Sequence, residues 1–279
     1  MLRNATAPLI ELTQLAKLIA IPPPNLSIVN LNYAGSKPED YNHAYLKERL
    51  PGARFININQ IGDKSLGLNN YLPTLETFTK TMKELDIGIN DHVICYGDDN
   101  MIGPCRGWFM FKVFGFPNVQ IMNGLFPAYK QEAHQIETGT PTWSQRLRKR
   151  TADDFAFKYN KELVVTMDQI RKLIEQKNGQ IVDARPENAF KAGHIPTAKN
   201  LTFTDLLKED STFKSEKQIA AMIQERGIDI NKPIQVSCNS GMTASVLLMG
   251  LYLAGARNIS NYVGSWGEWS KHSENPIEK

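Results

Sequence analysis

The chain has 279 residues, more than the roughly 100–150 over which a single core usually extends, so two domains are expected. Its composition, 42% hydrophobic and 22% charged, belongs to a globular protein and excludes a disordered or fibrous one. Thirty-two basic residues against 29 acidic ones leave a net charge of +3, too even a balance for a dedicated nucleic-acid binder.

The N-terminal stretch, MLRNATAPLIELTQLAKLIAIPPPN, carries a single Arg and an early Glu11 and makes a poor secretory signal. No run approaches the roughly 18 apolar residues of a membrane span, so no membrane partner is expected. The chain then alternates. Short β-branched runs predict strands at Ser27–Asn30, Val93–Tyr96 and Val119–Met122, separated by helices at Leu75–Leu85 and Arg106–Phe114. Residues 134–160 lose this periodicity and collect Thr, Pro and the basic run Arg146–Arg150, which reads as a linker with a solvated face. Helices at Met167–Glu175, Lys217–Arg226 and Thr243–Ala254 then alternate with strands at Ile181–Asp183, Ile234–Ser237 and Ile259–Tyr262. Gly115 and Gly255 stand where helix stops belong. Such alternation predicts an α/β fold with a mostly parallel sheet flanked by helices.

The two halves are versions of one another. PLIELTQLAKLIAIPPPNLSIVNLNY matches ELVVTMDQIRKLIEQKNGQIVDARP, and LDIGINDHVICYGDDN matches RGIDINKPIQVSCNSG. The longest pair, GWFMFKVFGFPNVQIMNGLFPAY and SVLLMGLYLAGARNISNYVGSWGEW, keeps an offset of 140 residues from Gly115 to Gly255 and from Gly124 to Gly264. A period that long is a duplicated domain. The expected division is 1–135, a linker over 136–160, and 161–279.

Three cysteines, Cys95, Cys105 and Cys238, form no CxxC pair and leave an odd thiol, which argues against a disulfide framework and a zinc site. A reducing compartment follows, the cytoplasm, with the mitochondrion as the alternative. Cys95 lies in a strand and Cys105 in an apolar helix, and both read as packing residues. Cys238 differs: a buried strand feeds it into the turn Cys238–Asn239–Ser240–Gly241–Met242–Thr243 and then into a helix. This places the sulfur at the carboxyl edge of a parallel sheet, where α/β folds bind ligands. Turn amides and a helix N-terminus favour an anion there and lower cysteine pKa values, so a thiolate nucleophile is expected. Thr243 is expected to cap the helix. A phosphatase of the Cys-x5-Arg type is excluded, because the position of its phosphate-clamping arginine is Ala244.

The motifs IVDARP at 181–186, GHIPTAKN at 193–200, CNSGMTA at 238–244 and YVGSWGEW at 262–269 resemble the rhodanese superfamily, in particular its two-domain thiosulfate and 3-mercaptopyruvate sulfurtransferases. In the first half LPGARFINI, GDKSLGLNNYLP and RGWFMFKVFGF are similar to the corresponding segments. The resemblance implies tandem rhodanese-like domains of which only the second carries the nucleophile. Gly97 aligns with Cys238, with Asp98 and Asp99 opposite the loop, so the first copy is expected to supply only the opposite wall of the site. It further implies ping-pong transfer through a Cys238 persulfide, from a small-molecule sulfur donor to cyanide, a thiol or a thioredoxin-like acceptor, with no metal or organic cofactor.

Within the family, cationic loops accompany thiosulfate, whereas here Asn239 and Ser240 are neutral, which favours 3-mercaptopyruvate. The alternatives are a thiosulfate:cyanide sulfurtransferase and a non-catalytic sulfur carrier. By resemblance, Ser240 and Asp63 form a proton relay and Arg185 grips the donor carboxylate, with Asn239, Gly241, Met242 and Thr243 completing the donor pocket. Asp183 and His194 read as fold-supporting. The family's second donor-binding arginine, carried on a longer segment before GHIP, is absent here.

Overall fold

The computed structural model describes residues 2, 6–33, 39–65, 67–68, 70–132, 134–145 and 147–279, with the side chains of 39–41 also outside the description. Among the described residues, ten strands form two five-stranded sheets. The first contains β1 (Leu9–Ile10), β2 (Leu26–Asn30), β3 (Arg54–Phe55), β4 (His92–Tyr96) and β5 (Val119–Met122), in the order β1-β5-β4-β2-β3. The second contains β6 (Val164–Val165), β7 (Gln180–Asp183), β8 (Lys199–Asn200), β9 (Ile234–Ser237) and β10 (Ile259–Tyr262), in the order β6-β10-β9-β7-β8. Every pairing is parallel and the two orders are the same, so the duplication read in the sequence is a duplication of topology.

The chain divides into two compact units. One comprises 4–62 and 73–159, the other 1–3, 63–72 and 160–279. The second unit is therefore discontinuous: it takes in a ten-residue segment from the middle of the first half.

Helices form where caps and apolar stripes coincide. In the helix Met167–Gln176, Thr166 and Gln169 make a reciprocal capping box and Ile170 is buried. Ser215 and Gln218 repeat the device on Glu216–Glu225, which buries Ile219 and Ile223. Two helices break the amphipathic pattern. In Ile102–Val113 every residue from Gly103 onward is buried, as is every residue from Ala244 to Tyr252 in Thr243–Leu253. Each is a central element with no solvent face, which is why both are apolar all round.

The stretch expected as a solvated linker is packed through residue 159 on the first unit. Arg146 lies outside the described residues and Lys149 is exposed as expected, but Arg148 and Arg150 are partly buried and paired. Arg148 Nε donates to Asp86 at 3.0 Å, while Arg150 bonds Asp86 at 2.8 Å and Asp91 at 2.8 and 2.9 Å. Asp86 and Asp91 are themselves buried, which explains why the basic run is held down: two interior carboxylates need cations. Burial raises the Asp86 pKa, but hydrogen bonds from Arg150 and Arg148 outweigh it and hold the carboxyl below its ordinary value. A depressed carboxyl stabilises the fold above its unfolded pKa, near 4, and that stabilisation is lost as pH falls through the folded value. Asp86→Asn is accordingly expected to cost about 2–4 kcal/mol at neutral pH and to flatten the dependence of Tm on pH below about 4, read by thermal melts across that range.

Candidate active site

The order β9-β7 joins the strand that ends at Ser237 to the strand that ends at Asp183, and from β7 the chain crosses outward to β8. This is a topological switch point, where carboxyl ends of parallel strands open a crevice. Cys238 follows β9 and Arg185 follows β7, so the sheet brings both sequence-predicted residues to one edge.

The loop after β9 is clamped through its carbonyls. Cys238 O accepts from Trp266 N at 3.0 Å and Asn239 O from Gly267 N at 2.9 Å. Gly241 O accepts from Ser245 Oγ at 3.2 Å and Asn261 Nδ2 at 3.1 Å. Two loop amides, those of Cys238 and Gly241, donate to Ser265 Oγ. The amides of Asn239, Ser240, Met242, Thr243 and Ala244 donate to no group among the described residues. A loop with most of its carbonyls bonded and most of its amides spare is an anion nest. Two glycines at the loop are obligatory: Gly241 within it has φ +73°, and a Cβ on Gly267, in the helix Ser265–Trp269, would sit 2.6 Å from Asn239 O.

Thr243 does not cap the helix. The N-cap is Met242, no side chain caps the terminus, and Thr243 is the first helical residue. The helix N-terminus is therefore left with uncapped amides at the loop, which adds to the nest. Asn239 is exposed, Ser240 and Thr243 half-buried, and Cys238, Gly241 and Met242 buried.

Arg185 is more committed than a donor-gripping arginine would be. Its Nε bonds both oxygens of Asp183, at 3.1 and 2.9 Å, and its Nη2 bonds Asp183 Oδ2 and Gly193 O, each at 2.8 Å. The guanidinium lies 4.7 Å from the Trp266 ring centre. Only Nη1 has no partner among the described residues, so the bidentate Nε–Nη2 edge belongs to Asp183 rather than to a ligand. Burial pushes the Asp183 carboxyl up, against the lowering effect of Arg185. His194 stacks on Phe190 and exchanges backbone bonds with Glu278, a role in the fold.

The expected Asp63–Ser240 relay is not formed. Asp63 Oδ1 accepts from Ser65 N at 2.9 Å, and hydrogen bonds from Ser65 hold its carboxyl low. Ser240 Oγ instead accepts from Asn70 Nδ2 at 3.4 Å, from the same 63–72 segment; Leu66 and Asn69 of that segment lie outside the described residues. A short backbone turn satisfies an aspartate more cheaply than a partner on a distant loop.

The first copy has the same scaffold with a glycine at the position of Cys238. Gly97 O accepts from Phe126 N at 3.0 Å, as Cys238 O does from Trp266 N, which fixes Gly97 as the counterpart of Cys238. The neighbouring Asp98 carboxylate accepts from Asn30 at 3.1 Å and Asn32 at 2.6 Å, and burial raises its pKa in spite of both amides. Cys95 and Cys105 are fully buried, and burial pushes both thiols up, consistent with packing roles.

A rhodanese-like domain model matches residues 34–132 and again 166–272. The chain belongs to the rhodanese-like domain family. It is 32% identical over 268 residues to the 3-mercaptopyruvate sulfurtransferase of Escherichia coli K12, covering 91% of this chain and 92% of that one. It is 30% identical over 256 residues to the thiosulfate sulfurtransferase of Gallus gallus, covering 88% and 86%. Among solved structures, the 3-mercaptopyruvate sulfotransferase SseA from Escherichia coli aligns with a TM-score of 0.82 at 30% identity, covering 94% of this chain and 99% of that chain. The matches fall on both copies, as the paired topology requires of a tandem rhodanese-like fold.

Proposed function

We propose that this protein is a sulfurtransferase that takes the thiol sulfur of 3-mercaptopyruvate onto Cys238, where it becomes the outer sulfur of a persulfide, and passes it to cyanide, a thiol or a thioredoxin-like protein. The observation that carries the reading is the nest after β9: five amides of the loop and helix start that follow Cys238 have no partner among the described residues. A thiolate there attacks the donor sulfur and breaks its C–S bond; the electron pair leaves on carbon as pyruvate enolate and the cysteine becomes Cys–S–SH. The persulfide proton and the enolate then reach pyruvate and Cys–S–S⁻ through one proton transfer, for which the half-buried Ser240 hydroxyl supports a route to solvent. Attack by cyanide on the outer sulfur releases thiocyanate and restores the thiolate. Asp63 is left out of the relay because Ser65 holds it.

Two features favour 3-mercaptopyruvate over thiosulfate. The loop side chains Asn239 and Ser240 carry no cation for a dianion, and Arg185 offers a single nitrogen, Nη1, suited to one carboxylate. The kcat/KM for 3-mercaptopyruvate is expected to exceed that for thiosulfate by at least about tenfold. The reverse order would reassign the donor. We place the protein in the cytoplasm, a compartment in keeping with a free, reactive Cys238.

A further inference from the structure

Ser265 sits immediately before Trp266 and beneath the nucleophile loop, wholly buried. Its Oγ accepts from Cys238 N at 3.0 Å and from Gly241 N at 3.1 Å, and it donates to Tyr262 O at 2.7 Å. A hydroxyl has two acceptor sites and one proton, so this one is saturated. It has nothing left to offer the Cys238 sulfur and acts on the loop only through the backbone. Its own backbone is left-handed, φ +55°, a conformation that serine enters at a cost and that brings its Oγ under both ends of the turn.

The duplication provides an internal control. The loops Cys238–Met242 and Gly97–Met101 have the same length and lead into helices that start at Thr243 and Ile102. Strand register pairs Val236 with Asn261 in one unit and Cys95 with Ile121 in the other, so Asn261 corresponds to Ile121 and Ser265 to Leu125. By the same alignment Gly241 corresponds to Asn100 and Ser245 to Pro104. The copy without the cysteine retains Gly124 and the Phe126–Gly97 bond, the counterparts of Gly264 and the Trp266–Cys238 bond. It has lost every side chain that ties the loop at Gly241. The shared elements are scaffold, and the hydroxyl and amide clamp accompanies the nucleophile.

We propose that Ser265 is a positioning residue for sulfur transfer: its hydroxyl pins the first and fourth residues of the Cys238 loop so that the remaining loop amides stay available to charged sulfur. Asn261 and Ser245 hold the same loop from the carbonyl of Gly241. The inference rests on Cys238 being the nucleophile and adds the residue that shapes its surroundings.

The test compares Ser265→Ala with Ser265→Gly in the full chain. Alanine lacks the hydroxyl and strains at positive φ, whereas glycine lacks the hydroxyl and adopts that φ freely. If the hydroxyl matters, both variants lose kcat by roughly 10²-fold with KM for 3-mercaptopyruvate changed far less, and iodoacetamide alkylates Cys238 more slowly in both. If serine is needed only to fill the position, Ser265→Gly matches the wild type in kcat and alkylation rate, and the inference is overturned. Alkylation requires no donor, so it reads the loop independently of turnover. Absence of a sulfur adduct on wild-type Cys238 would instead overturn the nucleophile reading.

Discussion

Cys238→Ser is expected to lower turnover by roughly 10⁴-fold or more with no change in the unfolding curve beyond that of a small core substitution. A serine hydroxyl stays protonated near neutrality and forms no persulfide, while the loop bonds to Ser265, Trp266 and Gly267 use backbone groups that the substitution keeps. Intact-mass measurement after incubation with 3-mercaptopyruvate should show one added sulfur on the wild-type chain and none on the variant. Cys95→Ala and Cys105→Ala should retain the adduct and turnover, because both thiols are buried and burial keeps them protonated. A sulfur adduct that survives in Cys238→Ser would remove Cys238 from the mechanism.

Gly241→Ala should damage stability and rate together. The residue has φ +73°, where a Cβ costs about 1–2 kcal/mol, and the new methyl would lie 2.8 Å from Val263 O and 2.9 Å from Val263 Cα. Both are backbone atoms of the chain following β10 and cannot swing aside, so overpacking adds about 1–3 kcal/mol. Relief requires the loop to lift, which lengthens the bonds of Gly241 to Ser265, Ser245 and Asn261. A fall in Tm of roughly 10 °C, with kcat reduced about 10²-fold in the protein that remains folded, is the expected result of melting and steady-state assays. An unchanged Tm would mean that the loop is looser than its bonding implies.

Much of the architecture was legible because the strands that matter are runs of β-branched residues: Val119–Met122, Ile234–Ser237 and Ile259–Tyr262 stand where the pattern puts them. Leu9–Ile10, Arg54–Phe55, Val164–Val165 and Lys199–Asn200 were not foreseen, since two residues carry no period. The helix expected from Arg106 begins at Ile102, because Gly103 and Pro104 read as breakers. Pro104 in fact occupies the first turn, where a missing N–H costs nothing. At the site, the chemistry of the Cys238 loop was visible in its own residues, but its support was not. Ser265 lies 27 residues downstream in a Gly-Ser-Trp-Gly stretch, and only its contrast with Leu125 in the other copy marks it. Asp63 shows the converse: the family resemblance paired it with Ser240, while in the structure a local turn with Ser65 engages its carboxylate.

The second unit borrows residues 63–72 from the middle of the first half, and Asn70 of that borrowed piece reaches Ser240. No single scission of the chain therefore liberates an intact reactive half. A fragment starting at residue 160 would hold all five strands of the second sheet yet lack the 63–72 segment of its own unit, Asn70 included, so the reactive half is defined by the fold and not by a continuous stretch of chain.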